Sequence, residues 1–451
     1  MPPFLQKFRQ FRERDPSKPL RPPQRRRMRN DWVYWSAIVL CIAAGLGFYF
    51  WVTSARLLKE PIRLDFGPGD PAFTTALGPA VGAEFAPGNT VRTLVNGAQF
   101  FPAMLEAIRR AEHTVTLETY IWSPGRVSTE FTKALCDAAA RGVRVNVLVD
   151  GMGTLKFHGE DRDRLEKAGV KVVKYGREHW YQVKPNINHR THRKLLIVDG
   201  RVGFTGGMCI DDRWQGNAET PDVWRDTVVR VEGPVVREMQ AVFATNWLQT
   251  TSGMLIGEDY FPPFRESGGG SVAQCFRSGP DEGPQYARLG YLIAIASARR
   301  TIDISHAYFV PDDLAIDMLL EARRRGVRVR VIVPEKSDSA FGRAASRSRW
   351  SRLLAAGVEF QLYNGSLYHC KTMVVDGLLV TVGSANFDNR SFAINDEVTL
   401  NLLDRGVAAD HERIFAQDLK RCRVLTPEEF SSRAWYIKAF DEVCGVFRSQ
   451  F

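Results

Sequence analysis

Two short stretches of this chain carry the same three polar residues at the same spacing: His192, Lys194 and Asp199 in THRKLLIVDG, and His369, Lys371 and Asp376 in YHCKTMVVDG. In both, an apolar run (LLIV, MVV) ends in Asp-Gly and leads into a small-residue stretch, GFTGGMC or VTVGSAN. An apolar run bounded by glycine predicts a buried strand entering a turn. Residues i and i+2 of a strand project to the same side, so each histidine and its lysine can address one ligand. An imidazole beside an ammonium suits a phosphate: the ring attacks or transfers a proton while the ammonium holds the anionic oxygens.

Three fixed positions recur by chance often enough that the surroundings must decide. Those surroundings repeat too. RGVRVNVLVD at 141–150 matches RGVRVRVIVP at 325–334, LEKAGVKVVKY at 165–175 matches LLAAGVEFQLY at 353–363, and AEHTVTLETYIW at 111–122 is similar to SARRTIDISHAYF at 297–309. Each half therefore runs strand, helix, Arg-Gly-Val strand, helix, Ala-Gly-Val strand and then the His/Lys strand. Alternating strands and helices predict an α/β fold with helices packed on a sheet. The duplication predicts two tandem repeats whose His/Lys strands meet across a pseudo-twofold axis.

With these segments, and with SGPD at 278–281, YFVPDD at 308–313 and GSANFDNRSF at 383–392, the chain resembles the phospholipase D superfamily, in its bacterial cardiolipin synthase branch. The resemblance spans roughly Asn96 to Thr426. It implies a reaction through a phosphohistidine intermediate that needs no cofactor and no metal. It assigns His192 as nucleophile and His369 as acid and base, although the sequence alone does not separate the two. Asp199 and Asp376 close their strands and are expected to brace the backbone and lysine region of the motif. The family places an acidic residue some thirty positions after each motif histidine. Asp226 in VWRDTVVRVEGP and Glu397 in INDEVTL stand there and would fix the imidazole tautomers. A phosphate-binding Asn is expected fifteen residues after each motif lysine. The second half has it as Asn386, whereas the first half has Cys209, a weaker donor, so the two halves of the site should bind phosphate unequally. His306 is left open as a polar group near the mouth or a packed residue.

Of 451 residues, 44% are hydrophobic, enough for a large core. The net charge of +10 is uneven: residues 1–31 hold ten basic and three acidic side chains, a net of +7, leaving +3 on the other 420. A nearly neutral body argues against a nucleic-acid partner. After the arm comes WVYWSAIVLCIAAGLGFYFWV, Trp32 to Val52, without a charge. As a helix it would span about 31 Å, close to the roughly 30 Å of a hydrocarbon core. Trp32, Tyr34, Trp35, Tyr49 and Trp51 mark its ends as interfacial rings do. It lacks the polar face of a core helix and exceeds a signal peptide's apolar stretch. This predicts one N-terminal transmembrane helix in the bacterial inner membrane, with the arm cytoplasmic and the catalytic body on the outer face. The seven scattered cysteines form no disulfide or zinc pattern and sit awkwardly with an oxidising compartment.

The expected layout is a basic arm at 1–31, the membrane helix at 32–52, and at 53–95 a Gly/Pro/Ala-rich extended spacer or coat over the domain with little regular structure. The first repeat follows at 96–255, a linker at 256–275 and the second repeat at 276–451. Phe261 and Phe264 of the linker, and the C-terminal apolar positions Trp435, Ile437, Phe440, Val443, Val446 and Phe447, are expected to pack on the body, with lipid contact as the alternative. Three functions compete. One is a membrane-anchored phosphatidyltransferase forming cardiolipin from phosphatidylglycerol, an anionic phospholipid. The others are a phosphodiesterase hydrolysing phospholipid or nucleic acid, and a non-catalytic phosphate-binding protein. Complete motifs in both halves oppose the last.

Overall fold

The apolar runs do become strands, and most are buried on both faces. In Leu195–Val198, Leu196 and Val198 join one hydrophobic cluster while Leu195 and Ile197 join another on the opposite face. Burial on both sides is why these strands read as continuous apolar runs and not as alternating ones. The computed structural model describes residues 31–52, 58–157, 159–176, 189–263, 268–280 and 285–447. The arm at 1–30, residues 53–57 of the spacer, Phe264 and Asp281 lie outside these.

The chain divides into two compact units, up to Leu57 and from Leu58 onward. In the first, Asp31–Val52 forms one helix of 22 residues, on which Tyr34, Trp35, Val39, Leu40 and Ile42 are exposed. Among the described residues, no helix is long and apolar enough to cross a membrane. The side chains of 31–33, 43 and 46–52 of this segment are not among those described.

The second unit is built on one mixed sheet of fifteen strands. In the first repeat these are β1 (Ala86–Val95), β2 (Thr114–Thr119), β3 (Arg144–Asp150), β4 (Lys171–Tyr175), β5 (Leu195–Val198), β6 (Val202–Gly206) and β7 (Thr227–Glu232). In the second they are β8 (Ser271–Ser278), β9 (Thr301–His306), β10 (Arg328–Pro334), β11 (Glu359–Tyr363), β12 (Lys371–Val375), β13 (Leu379–Gly383), β14 (Glu397–Leu403) and β15 (Cys422–Leu425). The spatial order β1-β7-β6-β5-β2-β3-β4 is repeated strand for strand as β8-β14-β13-β12-β9-β10-β11, with β15 added at the edge. In each repeat β2–β3–β4 or β9–β10–β11 pair in parallel and the remaining neighbours antiparallel. The two halves join where β1 pairs antiparallel with β8.

Each repeat buries one face of its sheet under its own helices, among them Gly97–Arg109 and Arg126–Ala140 in the first and Tyr286–Ser297 and Asp313–Arg324 in the second. On the opposite face one cluster is common to both. There Val236, Met239 and Phe243 of helix Val235–Thr251 and Val407 and Ala408 of helix Arg405–Leu419 meet Val231, Ala273, Val398 and Leu400. This shared layer makes the repeats one folding unit from Leu58 on.

Three expectations are corrected. The spacer at 53–95 is not free of regular structure: it holds helix Pro71–Val81, whose Phe73, Leu77 and Val81 pack into the second repeat's core, and β1, a central strand of the sheet. Gly and Pro dominate there because they cap elements: Asp70 accepts from Ala72 N ahead of Pro71, and Gly82 ends the helix in the left-handed region at φ 66°. The linker at 256–275 is likewise shorter, because β8 begins at Ser271, and its Tyr260 is buried with its hydroxyl on Asn146. Helix Trp435–Val446 buries Asp441, Cys444 and Gly445 and leaves Trp435, Phe440, Val443 and Val446 exposed, the reverse of core packing.

Candidate active site

Both motifs begin just outside a strand, and each is held by the opposite repeat. His192 N donates to Asp396 O at 2.9 Å and His369 N to Arg225 O at 2.7 Å. Thr191 and Asp396 form one isolated bridge, and Arg225 and Tyr368 the other. Asp396 and Arg225 each precede an acidic residue, so the same bridge carries that acid onto the imidazole. His192 Nδ1 meets Glu397 Oε1 at 2.8 Å, and His369 Nδ1 meets Asp226 Oδ2 at 2.8 Å. The two acids some thirty positions after the motif histidines both reach an imidazole, and the fold crosses them: each histidine takes its carboxylate from the other repeat.

Asp226 and Glu397 are fully buried. Burial alone would raise both carboxyl pKa values, yet the facing histidines hold them below the usual range. An ionised carboxylate only accepts hydrogen bonds, so each Nδ1 carries the hydrogen and each Nε2 keeps its lone pair. Asp226 also accepts from Trp214 Nε1 and Thr227 N at 2.8 Å each, and Glu397 from Ser384 Oγ at 2.5 Å. Burial pushes His192 down to about 4 against the pull of Glu397. Burial and then the Lys371 ammonium push His369 down to about 4, opposed by Asp226. At neutral pH both imidazoles are therefore neutral bases.

Lys194 and Lys371 are both buried. Each donates to the carbonyl of its own motif histidine, at 2.6 Å and 2.9 Å, and so lies on the histidine side of its strand. Burial lowers Lys194 and brings Lys371 down to about 8. Lys194 acts electrostatically on His369, and Lys371 on His192. The motifs thus share one field.

Asp199 and Asp376 close their strands, as expected, and brace backbone there, at the end away from the lysines. Asp199 accepts from the backbone N–H groups of Glu112, His113 and Thr114 (2.8–3.0 Å), and Asp376 from those of Arg299, Arg300 and Thr301 (2.7–2.9 Å). With φ of 52° and 56°, followed by Gly200 at 61° and Gly377 at 64°, each Asp-Gly supplies the two left-handed positions of a type I′ hairpin turn. Their work is structural.

A cleft of about 210 Å³ opens on His192 and is lined by Tyr120, Arg190, Tyr308, Asn386 and Arg390 among others. Asn386 is buried at this cleft and its Oδ1 has no partner, so its side chain can meet a group that enters there. Cys209 is buried in the first repeat's core, near enough to act on Lys194, and does not line the cleft. His306 is buried with neither ring nitrogen partnered, against Tyr291 and Phe387, and so is packed and not at the mouth. Among the described residues no group of three or more His, Cys, Asp or Glu side chains could hold a metal ion.

Several residues of this site carry no signal in the sequence that marks them as functional. Tyr120 sits edge-on to the His192 ring at 5.1 Å, and Trp214 and Trp224 flank His369 at 5.1 and 5.2 Å. Glu118 accepts from Thr191 Oγ1 at 2.5 Å and Asn246 Nδ2 at 2.8 Å beneath the first motif. Tyr120 and Tyr308 lie inside segments already noticed as repeated, but a strand-end aromatic reads as core until its cleft is seen.

A duplicated mixed sheet with two reciprocal carboxylate–histidine pairs and two lysines at one centre defines a phosphoryl-transfer site of the phospholipase D type. The profile of the family described as "Cardiolipin synthase, PLD-like domain" matches residues 104–247 and 291–419. Cardiolipin synthase 1 of Bacillus anthracis is 32% identical over 390 residues, covering 85% of this chain and 77% of that protein. The probable cardiolipin synthase YwiE of Bacillus subtilis is 34% identical, covering 76% of this chain and 69% of its own. The crystal structure of a phosphatidylserine synthase from Haemophilus influenzae shares the fold, with a TM-score of 0.64 at 13% identity over 84% of this chain and 99% of the other. The chain belongs to the cardiolipin synthase family, and it is an enzyme, a phosphatidyltransferase of the phospholipase D superfamily.

Proposed function

We propose that this enzyme is a membrane-anchored cardiolipin synthase that joins two phosphatidylglycerol molecules through a phosphohistidine on His192. The reciprocal pairing of His192 with Glu397 and His369 with Asp226 carries the reading, because it leaves two Nε2 lone pairs beside two lysines at one centre. His192 Nε2 attacks phosphorus of the first phosphatidylglycerol and the bond to its free glycerol breaks. That alkoxide takes a proton from His369, and Lys194, Lys371 and Asn386 hold the non-bridging oxygens. His369 in the resting site is a neutral base, so the incoming anionic phosphate has to raise its pKa before it can act as acid. The glycerol hydroxyl of a second phosphatidylglycerol then gives its proton to His369 and attacks phosphorus, releasing cardiolipin and free His192. The choice of His192 as nucleophile is supported by its position on the cleft with Asn386, while His369 is enclosed by two indole rings.

The anchor in this reading is segment 32–52, supported by its twenty-one uncharged residues and the basic arm before them, with the arm inside and the body outside. Fusion of alkaline phosphatase after Phe451 is expected to be active, and a fluorescent-protein fusion dark; the opposite pair of results moves the site to the cytoplasmic leaflet. For the reaction, the detergent-solubilised protein is incubated with phosphatidylglycerol in EDTA and both products are identified by mass spectrometry. Cardiolipin with one glycerol per turnover supports the synthase. Phosphatidic acid alone makes it a hydrolase, and no product until zinc or magnesium is restored removes the metal-independent mechanism.

A further inference from the structure

Helix Trp435–Val446 is packed inside out. Asp441, on its inward side, is 1% exposed and takes ion pairs from Arg347 and Arg433 at 2.6 Å each. Cys444 lies with Val310, Ala344 and Ala345, and Gly445 closes so tightly on Ser348 that a Cβ would stand 2.6 Å from its hydroxyl. The outward side carries Trp435, Tyr436, Phe440, Val443, Val446 and then Phe447, from 43% exposed at Phe440 to 79% at Trp435. The buried ion pairs fix this rotation: turning the apolar residues inward would strand two arginines.

The patch runs to the active site. Phe341 is 60% exposed and its ring lies 5.8 Å from that of Phe440. Its neighbours in the chain, Ser339 and Gly342, line the cleft that holds His192. Segments 339–352 and 433–447 carry six basic and two acidic residues. Arg347 and Arg433 face Asp441, and Arg349 and Arg352 pair with Asp313 and Asp317 of the neighbouring helix; with Asp313 and Asp317 included the face keeps a net charge of +2, six basic against four acidic. An aromatic-rich, net positive surface matches an anionic lipid interface, where Trp and Tyr seat at headgroup depth. A second protein copy on this face would cover Phe341 at the mouth through which lipid must enter.

We infer that helix Trp435–Val446 and Phe341 form a docking face that lies in the surface of an anionic phospholipid bilayer and sets the cleft mouth at headgroup level. This deepens the phospholipid reading and rests on it. Its test uses the full chain in proteoliposomes of phosphatidylglycerol and phosphatidylcholine, some with brominated acyl chains. Tryptophan quenching in the wild type is compared with Trp435→Phe, so that the difference reports on Trp435 alone. A quenched Trp435 component is expected, and its absence overturns the proposal, as does its protection by self-association at rising protein density. Turnover is then compared for Val443→Glu/Val446→Glu. On vesicle phosphatidylglycerol kcat/KM is expected to fall about tenfold or more, and on monomeric short-chain phosphatidylglycerol to stay within about twofold. Equal turnover on vesicles, or an equal loss on both substrates, overturns the proposal. A wild type that turns over neither substrate refutes the phosphatidyltransferase reading instead, while the quenching difference still reports on this face.

Discussion

The two repeats share strand order, turn chemistry and the geometry of the motif histidine, yet they support that histidine with different polar groups. Beneath His369, Arg225 makes a bidentate ion pair with Asp418 at 2.9 Å twice, and Tyr368 Oη donates to the same carboxylate at 2.9 Å. Beneath His192 the matching place is held by Glu118, Thr191, Asn246 and Asp396, with Glu118 Oε2 buried and unpartnered. Burial raises Glu118 to about 7, so it is partly protonated near neutral pH. One motif thus rests on a buried Arg–carboxylate pair and the other on a hydrogen-bonded cluster in which Asp396 also meets His189 Nε2 at 2.9 Å. The cleft departs from symmetry as well, taking Asn386 but not Cys209. What duplication preserved is the backbone bridge and the carboxylate–histidine pair, while the supporting and substrate-facing groups diverged.

Function should not distinguish the two histidines. His192→Ala and His369→Ala are each expected to lose about 10⁴-fold or more in turnover, with the double variant no worse, since the pair acts as a unit. Product formation from phosphatidylglycerol measures it, and near-normal turnover in either variant would break the two-histidine mechanism.

Stability should distinguish the supports. Asp418→Asn leaves the Arg225 guanidinium buried with a neutral partner and is expected to cost about 3–5 kcal/mol, read by denaturant unfolding. A loss below 1 kcal/mol would mean that the ion pair is dispensable.

The cleft asymmetry sets a smaller contrast. Asn386→Ala is expected to lower kcat/KM by about 10–100-fold, and Cys209→Ala by no more than about threefold. Equal effects would return the two positions to equivalence.

The last contrast is at Glu118. Its folded pKa of about 7 lies above the ordinary 4.5, so its stabilising contribution is complete below about 4.5 and is lost as pH rises toward 7. Glu118→Gln, isosteric with the protonated acid, has no such loss. Its melting temperature should rise relative to wild type across that window, and a constant gap would show that Glu118 is ionised throughout.

Local signals made much of this molecule legible. Apolar runs ending in Asp-Gly give strands and type I′ turns at any place in a chain, because a left-handed turn position and a two-sided burial are properties of a few neighbouring residues. Recurrence of 141–150 at 325–334 therefore announces the duplication, and the family resemblance points to Asp226 and Glu397 by their offset from the motif histidines. The spacer misled because glycine and proline mark helix ends as well as loops, so β1 and helix Pro71–Val81 were hidden between their own caps. Only the tertiary structure decided which acid meets which histidine, since the bridge from Thr191 to Asp396 joins residues 205 apart. It alone turned the apolar residues of Trp435–Val446 outward. Periodicity marks two faces of a helix but does not say which is buried, and here the pull of Arg347 and Arg433 on Asp441 made the choice.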